Sequence, residues 1–147
     1  MDSASLPFYH LTILTPQPKK PGFPKALLTI GDHIRKRRLD LGLFQRQVAL
    51  QIGVAEASVW NWEKGGMKPK IRHLPAIISF LGYNPLPEPD NLSARLVWAR
   101  SSQGLRRVAC ARLLGVDPST LARWETGCGK PSVGHLDTII KLFKTVS

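Results

Sequence analysis

Between residues 27 and 82, apolar side chains recur at helical intervals separated by small-residue breaks. Ile34 and Leu41 mark a first helix, Val48, Ala49 and Ile52 a second, and Val59 and Trp62 a third. Leu74, Ile77, Ile78 and Leu81 mark a fourth. Gly42 and Gly53 fall where the first two helices should stop. No segment alternates convincingly at period two, so strands are not expected and the fold class is all-α. Two stretches lack the helical period. Residues 1–26 carry Pro7, Pro16, Pro18, Pro21 and Pro24 and read as an extended N-terminal arm. Residues 83–92 carry Pro85, Pro87 and Pro89 at alternate positions, which forbids a helix there. That stretch reads as a stiff Pro-rich linker and as the boundary between a first domain, 27–82, and a second, 93–147.

The second domain is a diverged copy of the first. A shift of 62 positions lays Arg38 on Arg100, Gly42-Leu43 on Gly104-Leu105 and Ala49 on Ala111 without a gap. It also lays Gly53-Val54 on Gly115-Val116, Trp62-Glu63 on Trp124-Glu125, Gly65 on Gly127 and Lys68-Pro69 on Lys130-Pro131. His73-Leu74 falls on His135-Leu136, and Ile77-Ile78 on Ile139-Ile140. The matches are small residues at turns and apolar residues at core phase, so the halves should share one fold.

Each copy meets the demands of a helix-turn-helix. A small residue, Ala49 or Ala111, stands where the second and third helices must cross closely. Four positions later Gly53 or Gly115 supplies a residue tolerant of positive φ for the turn. Val59 with Trp62, or Leu121 with Trp124, pins the third helix by its apolar face. In the second copy Asp117 has the character of an N-cap, with Pro118 at the first helical position. On these residues, 42–65 resembles the Cro/cI repressor (XRE-type) helix-turn-helix family, and 104–127 resembles it too. The resemblance extends over roughly 31–81 and 93–143 and implies two lambda-repressor-like bundles in tandem.

The resemblance implies that the third helix of each copy, about 55–64 and 117–126, enters the major groove of duplex DNA. By position in the motif, Glu56, Ala57 and Asn61 match base-reading sites in the first copy. Asn61 suits paired contacts to adenine, Glu56 an acceptor for cytosine N4, and Ala57 a thymine methyl. Pro118, Ser119 and Arg123 hold the same positions in the second copy, where Ser119 and Arg123 are the base-reading candidates. Arg123 suits the two acceptors of guanine. Unlike side chains in the two copies predict unlike half-sites. Gln45 matches the family's phosphate-clamping glutamine, and Arg107 is its counterpart. Lys64, Lys68, Lys70, Arg72 and Lys130 are expected backbone contacts. The family usually caps the second helix with Ser or Thr; Phe44 and Arg106 stand there instead, so this helix should start loosely. The resemblance also implies structural ion pairs, Arg38 with Glu63 and Arg100 with Glu125.

Charge agrees with a polyanionic partner. The 147 residues hold 21 Lys and Arg against 10 Asp and Glu, a net charge of +11. Residues 27–82 have nine basic and four acidic side chains, and 93–147 nine and three, so each half is basic by itself. Elsewhere Lys19, Lys20 and Lys25 balance Asp2, Glu88 and Asp90. No apolar run reaches the roughly 18 residues of a membrane span, and no secretory signal is visible. Cys110 and Cys128 cannot make a zinc site alone, and His73 and His135 have no second ligand at fixed spacing. They read as packing or capping residues; Cys110, aligned with Val48, reads as core. No metal, cofactor or small-molecule ligand is expected, nor enzymatic chemistry. The expected function is cytoplasmic, nucleoid-associated regulation of transcription by sequence-specific binding of double-stranded DNA. The rival reading is an antitoxin-like or phage-type regulator, whose first domain binds DNA while the second domain or the arm holds a protein partner. A homodimer is compatible with either. Trp60, beside the motif tryptophan, is left without a direction.

Overall fold

The computed structural model describes residues 22–144. Among these residues the only regular elements are helical. In chain order they are α1 (Ile30–Asp40), α2 (Gln45–Ile52), α3 (Glu56–Glu63) and α4 (Leu74–Leu81), the last preceded by a 3-10 turn at Ile71–His73. Then follow α5 (Leu92–Ser102), α6 (Arg107–Leu114), α7 (Pro118–Glu125) and α8 (Val133–Phe143). The all-α reading holds. Most of the proposed arm, including Lys19 and Lys20, lies outside the described residues; residues 22–28 are not helical and Lys25 is exposed.

Local chemistry explains where the helices begin. Thr29 Oγ1 accepts from the Asp32 N–H at 3.1 Å, while the Asp32 carboxylate accepts from the Thr29 N–H at 2.8 Å, so α1 starts on a reciprocal cap. Asn91 caps α5 by accepting from the Ala94 N–H, and Asp117 caps α7 by accepting from the Ser119 N–H. At α2, Phe44 offers no acceptor, yet its own N–H is taken by Gln47 Oε1 at 2.8 Å. The predicted loose start is thus half compensated there. At α6, Arg106 supplies no side-chain cap.

Two separate cores form. Ile34, Val48, Ala49, Ile52, Val59, Trp62, Leu74, Ile77, Phe80 and Leu81 are buried together. Leu96, Cys110, Ala111, Leu114, Leu121, Trp124 and Ile139 are buried in the second. Three expected positions differ. Leu41 is exposed, because α1 ends at Asp40 and the left-handed Gly42 turns the chain; Leu43 packs on the core in its place. In each isoleucine pair only the first member is buried: Ile77 and Ile139 face inward, Ile78 is half-buried and Ile140 exposed.

The linker is not the free strut that its prolines suggest. Its last residue, Leu92, already belongs to α5, which Asn91 caps; the rest contains no helix but folds onto α5. Asn84 Oδ1 accepts from the Leu86 N–H at 3.0 Å, a local turn that interrupts any polyproline run. Leu86 packs against the first core, and its carbonyl accepts from Trp98 Nε1 at 3.0 Å. Arg95 donates to the Pro89 carbonyl at 2.9 Å and pairs with Glu88 at 3.1 Å. Asn84 Nδ2 donates to the buried Ser102 hydroxyl at 2.8 Å. The halves are therefore held against each other, with α4 beside α5.

Candidate nucleic-acid interface

The turn between α2 and α3 is built as a small-residue crossing. Ala49 is buried, and its carbonyl accepts from both the Gly53 and Val54 N–H groups, at 2.8 and 2.9 Å. Gly53 closes α2 with φ 79° and ψ 41°, a conformation costly for residues with a Cβ. Ala111 and Gly115 repeat the arrangement, with the Val116 N–H donating to the Ala111 carbonyl at 3.0 Å. These bonds fix the angle at which α3 and α7 leave the core.

A buried carboxylate then locks each third helix. Arg38 meets Glu63 through two parallel bonds, Nε to Oε1 at 2.6 Å and Nη2 to Oε2 at 2.8 Å, while its Nη1 donates to the Leu43 carbonyl. Gln45 Nε2 adds a third donor to Glu63, at 2.9 Å. In the second unit Arg100 reaches Glu125 at 2.6 and 3.4 Å and the Leu105 carbonyl at 2.8 Å, and Arg107 Nε reaches Glu125 at 2.9 Å. The carboxylate side chains are only 3% and 2% exposed. One acid thus ties together the first helix, the following turn, the second helix and the third. Gln45 and Arg107, expected at phosphate, are each engaged on that acid; Arg107 remains 48% exposed and keeps both terminal nitrogens for another partner.

With one face pinned, the opposite face of α3 is defined. Glu56 and Ala57 are exposed in its first turn, Trp60 follows one turn later at 50% exposure, and Lys64 ends the row. Asn61 sits at the edge of this face, half-buried. Trp60 therefore belongs to the same surface as the expected base readers. Its four-residue spacing from Glu56 was the signal, masked by the neighbouring core tryptophan. On α7 the corresponding face carries Ser119 and Arg123, both exposed, with half-buried Pro118 and Ala122. Lys64, Lys68, Lys70, Arg72 and Lys130 are all exposed around these helices.

The repeated histidines brace the tryptophans. His73 lies 5.8 Å from Trp62, and His135 5.3 Å from Trp124, ring centre to ring centre. Burial holds the His73 pKa below the ordinary 6.5, with help from the Arg72 and Lys70 cations. Burial also lowers that of His33, whose Nδ1 lies 2.7 Å from the Tyr83 hydroxyl; Asp32 opposes this in part. Both imidazoles take up a proton more readily when the chain unfolds. Stability should therefore be full above 6.5 and decline as pH falls below it, towards the folded-state values. Urea midpoints at pH 7.5 and 5.5 check this: the midpoint should drop in acid, and drop less in His73→Gln. A midpoint that rises in acid would refute it.

Among the described residues no group of three or more His, Cys, Asp and Glu side chains is placed to hold a metal ion. Cys110 is buried, which raises its thiol pKa, and Cys128 is exposed. No helix among the described residues is long and apolar enough to cross a membrane.

Known proteins match in two places. Residues 34–87 fit a family model described as helix-turn-helix, and residues 91–146 fit a second described as helix-turn-helix domain. The chain is 38% identical over 58 residues to the HTH-type transcriptional regulator DicA of Escherichia coli (strain K12). That match covers 40% of this chain and 43% of the relative. No solved structure matches the chain.

Proposed function

Because the chain belongs to the Cro/cI-type helix-turn-helix regulators, with two copies of the unit in tandem, we propose that it regulates transcription by sequence-specific binding of duplex DNA. The observation that carries this reading is the repeated brace: a buried Glu holds each third helix against its unit and leaves its outer face free. Rigid presentation of a short helix is what reading base edges in a major groove requires. Glu56, Ala57 and Asn61 on α3, and Ser119 and Arg123 on α7, are the proposed readers, with Trp60 among them. Lys64, Lys68, Lys70, Arg72, Arg107 and Lys130 supply phosphate contacts and with them the salt dependence. The activity is binding without chemistry, in the cytoplasm and on the nucleoid.

Selection of bound duplexes from a random DNA pool tests the proposal. Asn61→Ala and Arg123→Ala should each weaken the selected duplex by about 1–3 kcal/mol and relax preference at a few positions. If Arg123→Ala leaves both affinity and footprint unchanged, only the first unit reads DNA. The second unit then serves dimerisation or a protein partner. Absence of any preference among duplexes at moderate salt would dispose of the reading altogether.

A further inference from the structure

The junction between the two units is assembled from two runs of sequence without acid. No Asp or Glu lies between Glu63 and Glu88, nor between Asp90 and Asp117. The first run carries Lys64, Lys68, Lys70 and Arg72; the second carries Arg106 and Arg107 near its middle. Folding sets Ile71, between Lys70 and Arg72, against Gly104, which lies just before Arg106 and Arg107. The turn from α5 to α6 sits on the 3-10 turn and the head of α4. A Cβ built on Gly104 would stand 3.1 Å from Pro75 Cδ and 3.2 Å from the Ile71 carbonyl oxygen. Lys70 and Arg72 flank Ile71, and Arg106 and Arg107 follow Gly104 by two and three residues.

All four side chains are exposed. Among the described residues no carboxylate lies within ion-pairing distance of Lys70, Arg72 or Arg106. Arg107 shares Glu125 with Arg100. Like charges gathered across a packed contact repel, and an anion bound between them turns that repulsion into attraction. The contact itself is held by other means, the Asn84–Ser102 bond and the Trp98–Leu86 bond.

We infer that Lys70 and Arg72 of the first unit and Arg106 and Arg107 of the second form one composite clamp for successive phosphates of a nucleic-acid backbone. This rests on the duplex-binding reading and adds that both units grip the same run of phosphates at their junction. The clamp is blind to sequence; the third helices are not. Neither unit makes it alone, so the phosphates it holds also hold the units together.

Binding is measured with the full chain, on the selected duplex and on a duplex of random sequence, across a salt series. Arg72→Ala and Arg106→Ala should each weaken both duplexes by roughly tenfold and reduce the salt slope by about one. Loss of one cation loosens the phosphates held by the other. The double variant should therefore lose clearly less than the roughly hundredfold product of independent sites. A second comparison separates binding from folding. Gly104 and Gly42 share a left-handed φ, 70° and 65°, but a Cβ on Gly42 meets nothing. Gly104→Ala and Gly42→Ala carry similar backbone strain, and only Gly104→Ala should cost affinity on both duplexes. Multiplicative losses in the double variant, or equal affinity of the two glycine variants, would overturn the clamp while leaving sequence preference intact. Loss of preference alone, with coupled losses preserved, would overturn the regulatory reading and keep the clamp.

Discussion

Glu125→Ala should lower the unfolding free energy by about 3–5 kcal/mol, the range for removing one partner of a buried ion pair. Glu125 accepts from two guanidinium groups, and its side chain is only 2% exposed. Its removal leaves Arg100, 10% exposed, with no counter-charge and facing a second cation. Glu63→Ala should fall lower in the same range, because Gln45, the neutral partner there, adds no repulsion. Urea unfolding of the full chain measures both. Replacing the whole pair in the first unit, Arg38→Met with Glu63→Leu, should regain most of the loss, since an apolar pair needs no desolvation of charge. If both single variants lose less than about 1 kcal/mol, as surface pairs do, the acid does not hold the third helix.

Gly31→Ala is the second large effect expected. A Cβ there would stand 1.8 Å from the Trp62 carbonyl oxygen and 2.5 Å from its carbon. Both are backbone atoms, so no rotamer change relieves the overlap, and α1 must move off α3. Alanine favours a helix over glycine by about 1 kcal/mol, but overpacking of this kind costs roughly 3 kcal/mol and disturbs the presentation of α3. The repeat supplies the control. Ser93 occupies the equivalent place on α5, where the chain already accommodates a side chain, so Ser93→Ala should change stability by less than about 1 kcal/mol. Equal midpoints for Gly31→Ala and the unaltered protein would show that the two helices have slack the geometry denies.

Where a residue's role depends on its immediate neighbours, the sequence was legible. Ala49 and Gly53, with their counterparts at Ala111 and Gly115, announce a close crossing and a left-handed turn because both demands are local. Asp117 ahead of Pro118 announces a helix start for the same reason. Roles set by distant partners were legible only where the family resemblance implied them, as for Arg38 with Glu63 and Arg100 with Glu125, 25 positions apart. Gly31 reads as a weak helix residue until the Trp62 backbone is placed against it. Gln45 and Arg107 have side chains long enough to turn either way, and the acid that draws each inward lies 18 positions downstream. Phe80 carries no phase signal in the sequence because its helix is apolar nearly all round. Trp60 needed only the exposed face of α3 to be drawn. Leu86 is hidden among prolines that suggest separation, yet its partners are a core before it and a tryptophan after it.

That last residue changes how the two halves count as one ligand-binding body. On a slack tether each unit would search for its own groove, and the second encounter would be governed by an effective concentration set by tether length. Docked through Leu86 and Trp98, the second unit arrives already oriented, and its entropy of alignment is lost at folding instead of on binding. Inserting or deleting base pairs between the two contact regions of a site is then a test of shape, not of reach.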